Sequence, residues 1–124
     1  MKANVIELTK PYTLNGRTYN LKATWNVEAE VQERFGSFQA VLENKENLFK
    51  NLLSVLTILI NEAVDIHNET SEEYWEPVSE KYVGRHIDMR EPVKVVHLIT
   101  DVFIRSRPEA SEDSEDPNKT TPQA

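Results

Sequence analysis

The sequence has no cysteine, only three glycines, and no apolar run longer than the nearly uninterrupted stretch from Leu52 to Ile60. Without cysteine there is no disulfide framework and no thiolate to serve as nucleophile or metal ligand, a composition compatible with a reducing cytoplasm. Glycine at positions 16, 36 and 84 alone leaves no loop that could cradle a phosphate. The Leu52 to Ile60 run is far short of the roughly 20 residues that cross a bilayer core of about 30 Å. The opening MKANVIELTK lacks the apolar centre of a signal peptide, so a soluble, unexported protein is expected. Positive charge is also scarce. With 14 basic against 21 acidic residues the formal charge is −7, which repels phosphate backbones and anionic lipid, so neither nucleic acid nor membrane is an expected partner.

Groups that could carry chemistry are thin. No serine sits in a GxSxG elbow, and no HExxH or Glu-x-x-His set is present. His97 and Asp101 stand four apart, a spacing that can put two ligands on one metal, and Asp65 precedes His67 by two. Neither pair is completed by further ligands, and both read as parts of a solvated polar face. The YVGRHI stretch offers Arg85 and His86 to a base edge, but without a basic stripe beside them. We therefore expect no catalytic, cofactor-binding or metal-binding residues, and no enzyme.

What is present is pattern. YTLNGRTYNLK carries the strongest local hairpin signal, Asn15-Gly16 between alternating residues, because a two-residue type I′ loop needs positive φ at both positions. The register then pairs Leu14 with Arg17, Thr13 with Thr18 and Tyr12 with Tyr19. Tyr12, Leu14, Tyr19 and Leu21 share one face, which should be buried as a lid on a helical body, or else leave an edge for strand addition. Val5, Ile6 and Leu8 extend the β reading toward the N-terminus.

Helical signals follow. Asn26 is a candidate N-cap for a helix over Val27 to Phe35 with an apolar stripe at Val27, Val31 and Phe35, and Gly36 closes it. Ser37 to Leu42 adds another turn or two. A long helix then begins near Asn44 to Asn47 and ends near His67 and Asn68. Phe49, Leu52, Leu53, Leu56, Leu59, Ile60 and Ala63 form one stripe at i, i+3, i+4, i+7 spacing. Leu48, Val55, Ile58 and Ile66 form a second. A helix apolar on so much of its girth is normally central. The second stripe is either core under the other helices or an exposed strip offered to a partner helix.

Trp75 anchors the polar connection that follows, and a short helix fits Val78 to Ile87. Asp88 and Glu91 resemble a capping box around Pro92. PVKVVHLITDVFIR is rich in β-branched residues, yet Lys94, His97, Asp101 and Arg105 fall 3, 4 and 4 apart, on one helical face. A last helix is expected, ended by Pro108. Residues 108–124 contain no large apolar side chain and cannot offset their ordering entropy, so a disordered acidic tail is expected after a single domain over residues 1–107. The expected fold is mainly α, an N-terminal hairpin followed by about four helices around one long central helix.

In order, the hairpin LNGRTYNLK, a short helix ending FGS, a long apolar helix, EKYVGRHID, a last helix closing on RSRPE and an acidic tail resemble the tail assembly chaperones of long-tailed bacteriophages and prophages. The resemblance runs over most of Val5 to Glu109. It implies an assembly factor of the host bacterial cytoplasm, absent from the mature virion, that binds the tape measure protein and keeps it soluble while the tail tube assembles. It further implies contact with the tail tube protein, self-association, and a longer form made by frameshifting. No fixed motif carries residue roles across from the family. Leu48, Val55, Ile58 and Ile66, or the groove the long helix forms with the last helix, are the expected partner-binding surface. The alternative is a small acidic regulatory or adaptor protein whose tail engages a basic partner.

Overall fold

The computed structural model describes residues 9–88, 90 and 92–106. Val5, Ile6 and Leu8, Glu91 of the expected capping box, and the expected disordered tail lie outside the described residues. The architecture is mainly helical: a two-stranded antiparallel hairpin, β1 (Lys10–Leu14) and β2 (Arg17–Leu21), followed by five α-helices. Among the described residues these are α1 (Trp25–Phe35), α2 (Phe38–Glu43), α3 (Leu48–Thr70), α4 (Glu80–His86) and α5 (Pro92–Arg105), with a 3-10 turn at Lys45–Asn47 before α3.

The hairpin register is the expected one, with Leu14 opposite Arg17, Thr13 opposite Thr18 and Tyr12 opposite Tyr19. Asn15 and Gly16 take φ of 50° and 86°, the two left-handed positions that a type I′ turn demands. Leu14, Tyr19 and Leu21 are buried, and β2 packs against α3. On the opposite face the Thr13 and Thr18 hydroxyls share a 2.7 Å hydrogen bond.

Helix α1 starts earlier than Asn26 suggests. Thr24 is the N-cap: its hydroxyl oxygen accepts from the Val27 N–H at 3.3 Å and donates to Glu62 Oε2 on α3 at 2.7 Å. Both residue types cap well, so the tertiary tether to Glu62 decides between them. Gly36, at φ 88°, turns the chain and returns its N–H to the Gln32 carbonyl at 2.9 Å. Ser37 then caps α2 through the Ala40 N–H at 3.0 Å.

Helix α3 has 23 residues, about 34 Å at 1.5 Å per residue, and buries a near-continuous band from Ser54 to Ile60. Its two buried polar side chains are both satisfied: Ser54 Oγ donates to Glu80 Oε2 on α4 at 2.8 Å, and Thr57 Oγ1 donates to the Leu53 carbonyl one turn back at 2.8 Å.

The chain between α3 and α4 is held by two asparagines of α3. Asn68 accepts from the Trp75 N–H at 2.8 Å and donates to the Trp75 carbonyl at 2.9 Å. Asn61 repeats this with Val78, at 2.8 and 2.9 Å. Each amide satisfies a backbone donor and acceptor that would otherwise be unpaired against the core. Because residues 77–79 are drawn out in this way, α4 begins at Glu80 rather than at Val78, capped by Ser79.

Helix α5 confirms the spacing of its polar residues. Ile99, Val102 and Phe103 are buried, while Lys94 and His97 are exposed. Asp101 Oδ2 joins Lys10 Nζ of β1 and Arg105 Nε, both at 3.2 Å. Partial burial would raise the Asp101 pKa, but hydrogen bonds from Lys10 and Arg105 hold it below the ordinary carboxylate value. A depressed pKa in the folded state contributes stability above the unfolded pKa and loses it as pH falls through the folded one. Asp101→Asn should therefore lower the melting temperature near neutral pH, and the gap to the unmodified protein should close as pH falls through that depressed value. Thermal melts across an acid series check it.

Candidate partner-binding groove

The four expected contact residues do not form one surface. Val55 is 0% and Ile58 8% exposed, both in the core. Ile58 lies under α1, beside Val27, in a polar groove that also holds Glu30, Glu62, Asp65 and Glu80. Leu48 is half-buried at the start of α3, and Ile66 is 38% exposed near its other end. The expectation of a strip along Leu48, Val55, Ile58 and Ile66 is corrected on this point: its middle is covered because α1 occupies that side of the long helix.

An apolar surface does exist where α3 meets α5, with α4 as the third wall. Phe49, Leu52 and Leu53 of α3 face Ile87 after α4, and Pro92 and Val95 of α5, around a groove of about 150 Å³. Leu52 forms the buried floor, while Phe49 is 59% exposed at the rim. Val93, on the same first turn of α5, is 61% exposed. An apolar space of roughly 150 Å³ accepts a benzene-sized guest, so this one seats a single branched aliphatic or aromatic side chain.

Local sequence explains the groove. Gly84 lies on its wall, and a Cβ there would come within 3.2 Å of Leu53 Cδ2. A larger residue would fill the space from the α4 side. Asp88 sits at one edge and is exposed. Its carboxylate accepts from Arg90 Nε at 3.0 Å and from the Arg90 N–H at 2.9 Å, and these bonds hold its pKa below the usual value. Asp88 thus serves Arg90; the Glu91 half of the expected box lies outside the described residues.

The histidines are spread over the surface. His67 stacks on Trp75 with centroids 3.5 Å apart, His86 tilts against Tyr82, and His97 is exposed one turn from the already occupied Asp101 carboxylate. Among the described residues no group of three His, Cys, Asp or Glu is placed to hold a metal, and no helix is long and apolar enough to cross a membrane.

Periodicity assigns Phe49 to the buried stripe of α3, and there the sequence misleads. The stripe spacing is real, but in the first turn of the helix no element among the described residues covers that position, and Phe49 stays exposed. The only sequence signal for the opening is the break at Ile87, Asp88 and Pro92, which ends α4 and starts α5 just beyond the groove. No protein-family model, curated protein or solved structure matches the chain.

Proposed function

We propose that this chain is a non-catalytic tail assembly chaperone that holds apolar seams of the tape measure protein while the tail tube assembles, in the cytoplasm of the host bacterium and without entering the virion. The observation that carries the binding part is the three-walled apolar groove with exposed Phe49 at its rim. A long helical client presents apolar side chains at i, i+3 and i+4, and one such anchor fits the groove. The identity of the client rests on the order of sequence features described above.

Burying one Leu or Phe side chain stabilises by about 1.5–3 kcal/mol, which makes a single contact weak once association costs are counted. Weakness suits the task. Many copies along one client cover it collectively, and each can be displaced as the tube advances. The net charge of −7 keeps a coated client dispersed.

Co-expression with a tape measure protein tests the proposal. The client should move from the insoluble to the soluble fraction when this chain is present and co-purify with it in more than one copy. Equal insolubility with and without the chain would overturn the reading.

A further inference from the structure

Charge is strongly segregated along this sequence. Residues 8–27 contain Lys10, Arg17 and Lys22 and no acidic residue, although the chain as a whole carries −7. The hairpin is thus a positive island on a negative protein. Lys10 is engaged by Asp101. Neither Lys22 nor Arg17 has an ion-pair partner among the described residues; the Arg17 guanidinium lies 4.4 Å above the Trp75 ring and donates a hydrogen bond to the Tyr19 hydroxyl.

A second groove, of about 290 Å³, runs between the outer side of β2 and the last turns of α3. Thr18, Asn20 and Lys22 line one wall, and Ile66, His67 and Thr70 the other. Trp75 closes the end nearest Arg17, carrying His67 stacked on its ring. The nearby carboxylates of Glu62 and Asp65 line the other groove, on the α1 side.

The position of the chain exit supplies the occupant. Ser106 Oγ accepts a hydrogen bond from the Ala23 N–H at 2.9 Å, so the last described residue before the C-terminal segment is held beside Ala23, next in sequence to Lys22. That segment carries Glu109, Glu112, Asp113, Glu115 and Asp116 within eight positions. At roughly 3.3–3.6 Å per residue, Glu109 reaches about 10 Å from Ser106 and Asp116 about 35 Å. β2 spans only about 17 Å, so the acidic block covers the distance from Lys22 to Arg17 with chain to spare. We propose that residues 109–116 of the same molecule lie along this groove, their carboxylates against Lys22 and Arg17.

The contact is electrostatic and partly solvated, so it weakens with salt as the screening length falls from about 10 Å at 0.1 M to about 3 Å at 1 M. It also gives the tail a specific address. A basic partner reaching for the tail would have to compete with the hairpin, and a negative client seam would have to displace the tail to touch it.

Because the chain has no cysteine, Ser114→Cys in the full-length protein takes a single nitroxide label. In 15N-labelled protein at low salt, amide signals of residues 18–22 and 66–70 should lose roughly half their intensity relative to the reduced label, while signals from the α4 and α5 walls of the apolar groove remain sharp. High salt should restore them, as should Lys22→Glu. Neutralising the tail with Glu112→Gln, Asp113→Asn, Glu115→Gln and Asp116→Asn should do the same while leaving every described residue unaltered. Broadening that is absent, spread evenly over the surface, or unchanged in these variants overturns the proposal. Broadening that appears only on an isotope-labelled copy mixed with a nitroxide-bearing one assigns the contact to a neighbouring molecule and overturns the single-molecule arrangement.

Discussion

Val55→Asp abolishes the cooperative unfolding transition, or lowers the melting temperature by roughly 20 °C or more, measured by circular dichroism. Val55 has no exposed surface and lies in the middle of α3, which packs against β2 and against α1, α2, α4 and α5. Losing its apolar burial costs about 1.5–3 kcal/mol, and an unpaired carboxylate at that depth costs several more. A domain of this size has a total stability of about 5–15 kcal/mol, and each kcal/mol moves the melting point by about 4–8 °C. Ile58→Asp should behave similarly for a further reason. It would add a carboxylate to a groove already holding Glu30, Glu62, Asp65 and Glu80 with only Arg34 as a cation among its lining residues. Ile58→Val, which removes one methylene, should cost only about 0.5–1.5 kcal/mol. A well-folded Val55→Asp protein would return the middle of α3 to the list of surfaces.

Phe49→Glu has the opposite profile. The protein should fold with a melting point within a few degrees of the parent, because an exposed position contributes about 0.5 kcal/mol or less either way. Client affinity should fall by about 10–100-fold, the equivalent of one buried aromatic anchor. Phe49→Leu keeps an apolar rim and should stay within a few-fold. Titration of the purified variants against a tape measure fragment by calorimetry separates the cases, and unchanged affinity in Phe49→Glu would remove the groove from the binding surface.

How far the fold could be read in the sequence depends on how local its cause is. The hairpin was legible to the residue because Asn15-Gly16 fixes the loop, and the loop fixes the pairing. Helix α5 was legible despite its β-branched residues because Lys94, His97, Asp101 and Arg105 can share a face only in a helix. The first N-cap was not, since Thr24 wins through a hydroxyl bond to Glu62, 38 residues away. The clamps made by Asn61 and Asn68 were equally hidden: an asparagine on a helix surface carries no mark of the backbone segment that will come to lie against it. The candidate site was legible only in part. Periodicity identifies which α3 residues are apolar, but which of them stay uncovered depends on where α1, α4 and α5 settle. Hence Val55 and Ile58 are core, and Phe49 is at the rim.

The two tryptophans give this protein an unusual optical property. Trp25 is 88% exposed on the first turn of α1, so its emission is already that of a solvated indole and has little to shift on unfolding. Trp75 is half-buried, edge-on to Tyr19 at 5.7 Å, with His67 stacked on its ring and the Arg17 guanidinium above it. Any blue shift in the native spectrum therefore comes from one residue, and that residue touches β2, α3 and the connection to α4 together. A fluorescence melt monitors the docking of the hairpin, whereas far-ultraviolet dichroism monitors the helices. If the hairpin detaches before the helices unwind, the fluorescence midpoint will precede the dichroism midpoint, and an unmodified sample resolves the two events without any attached dye.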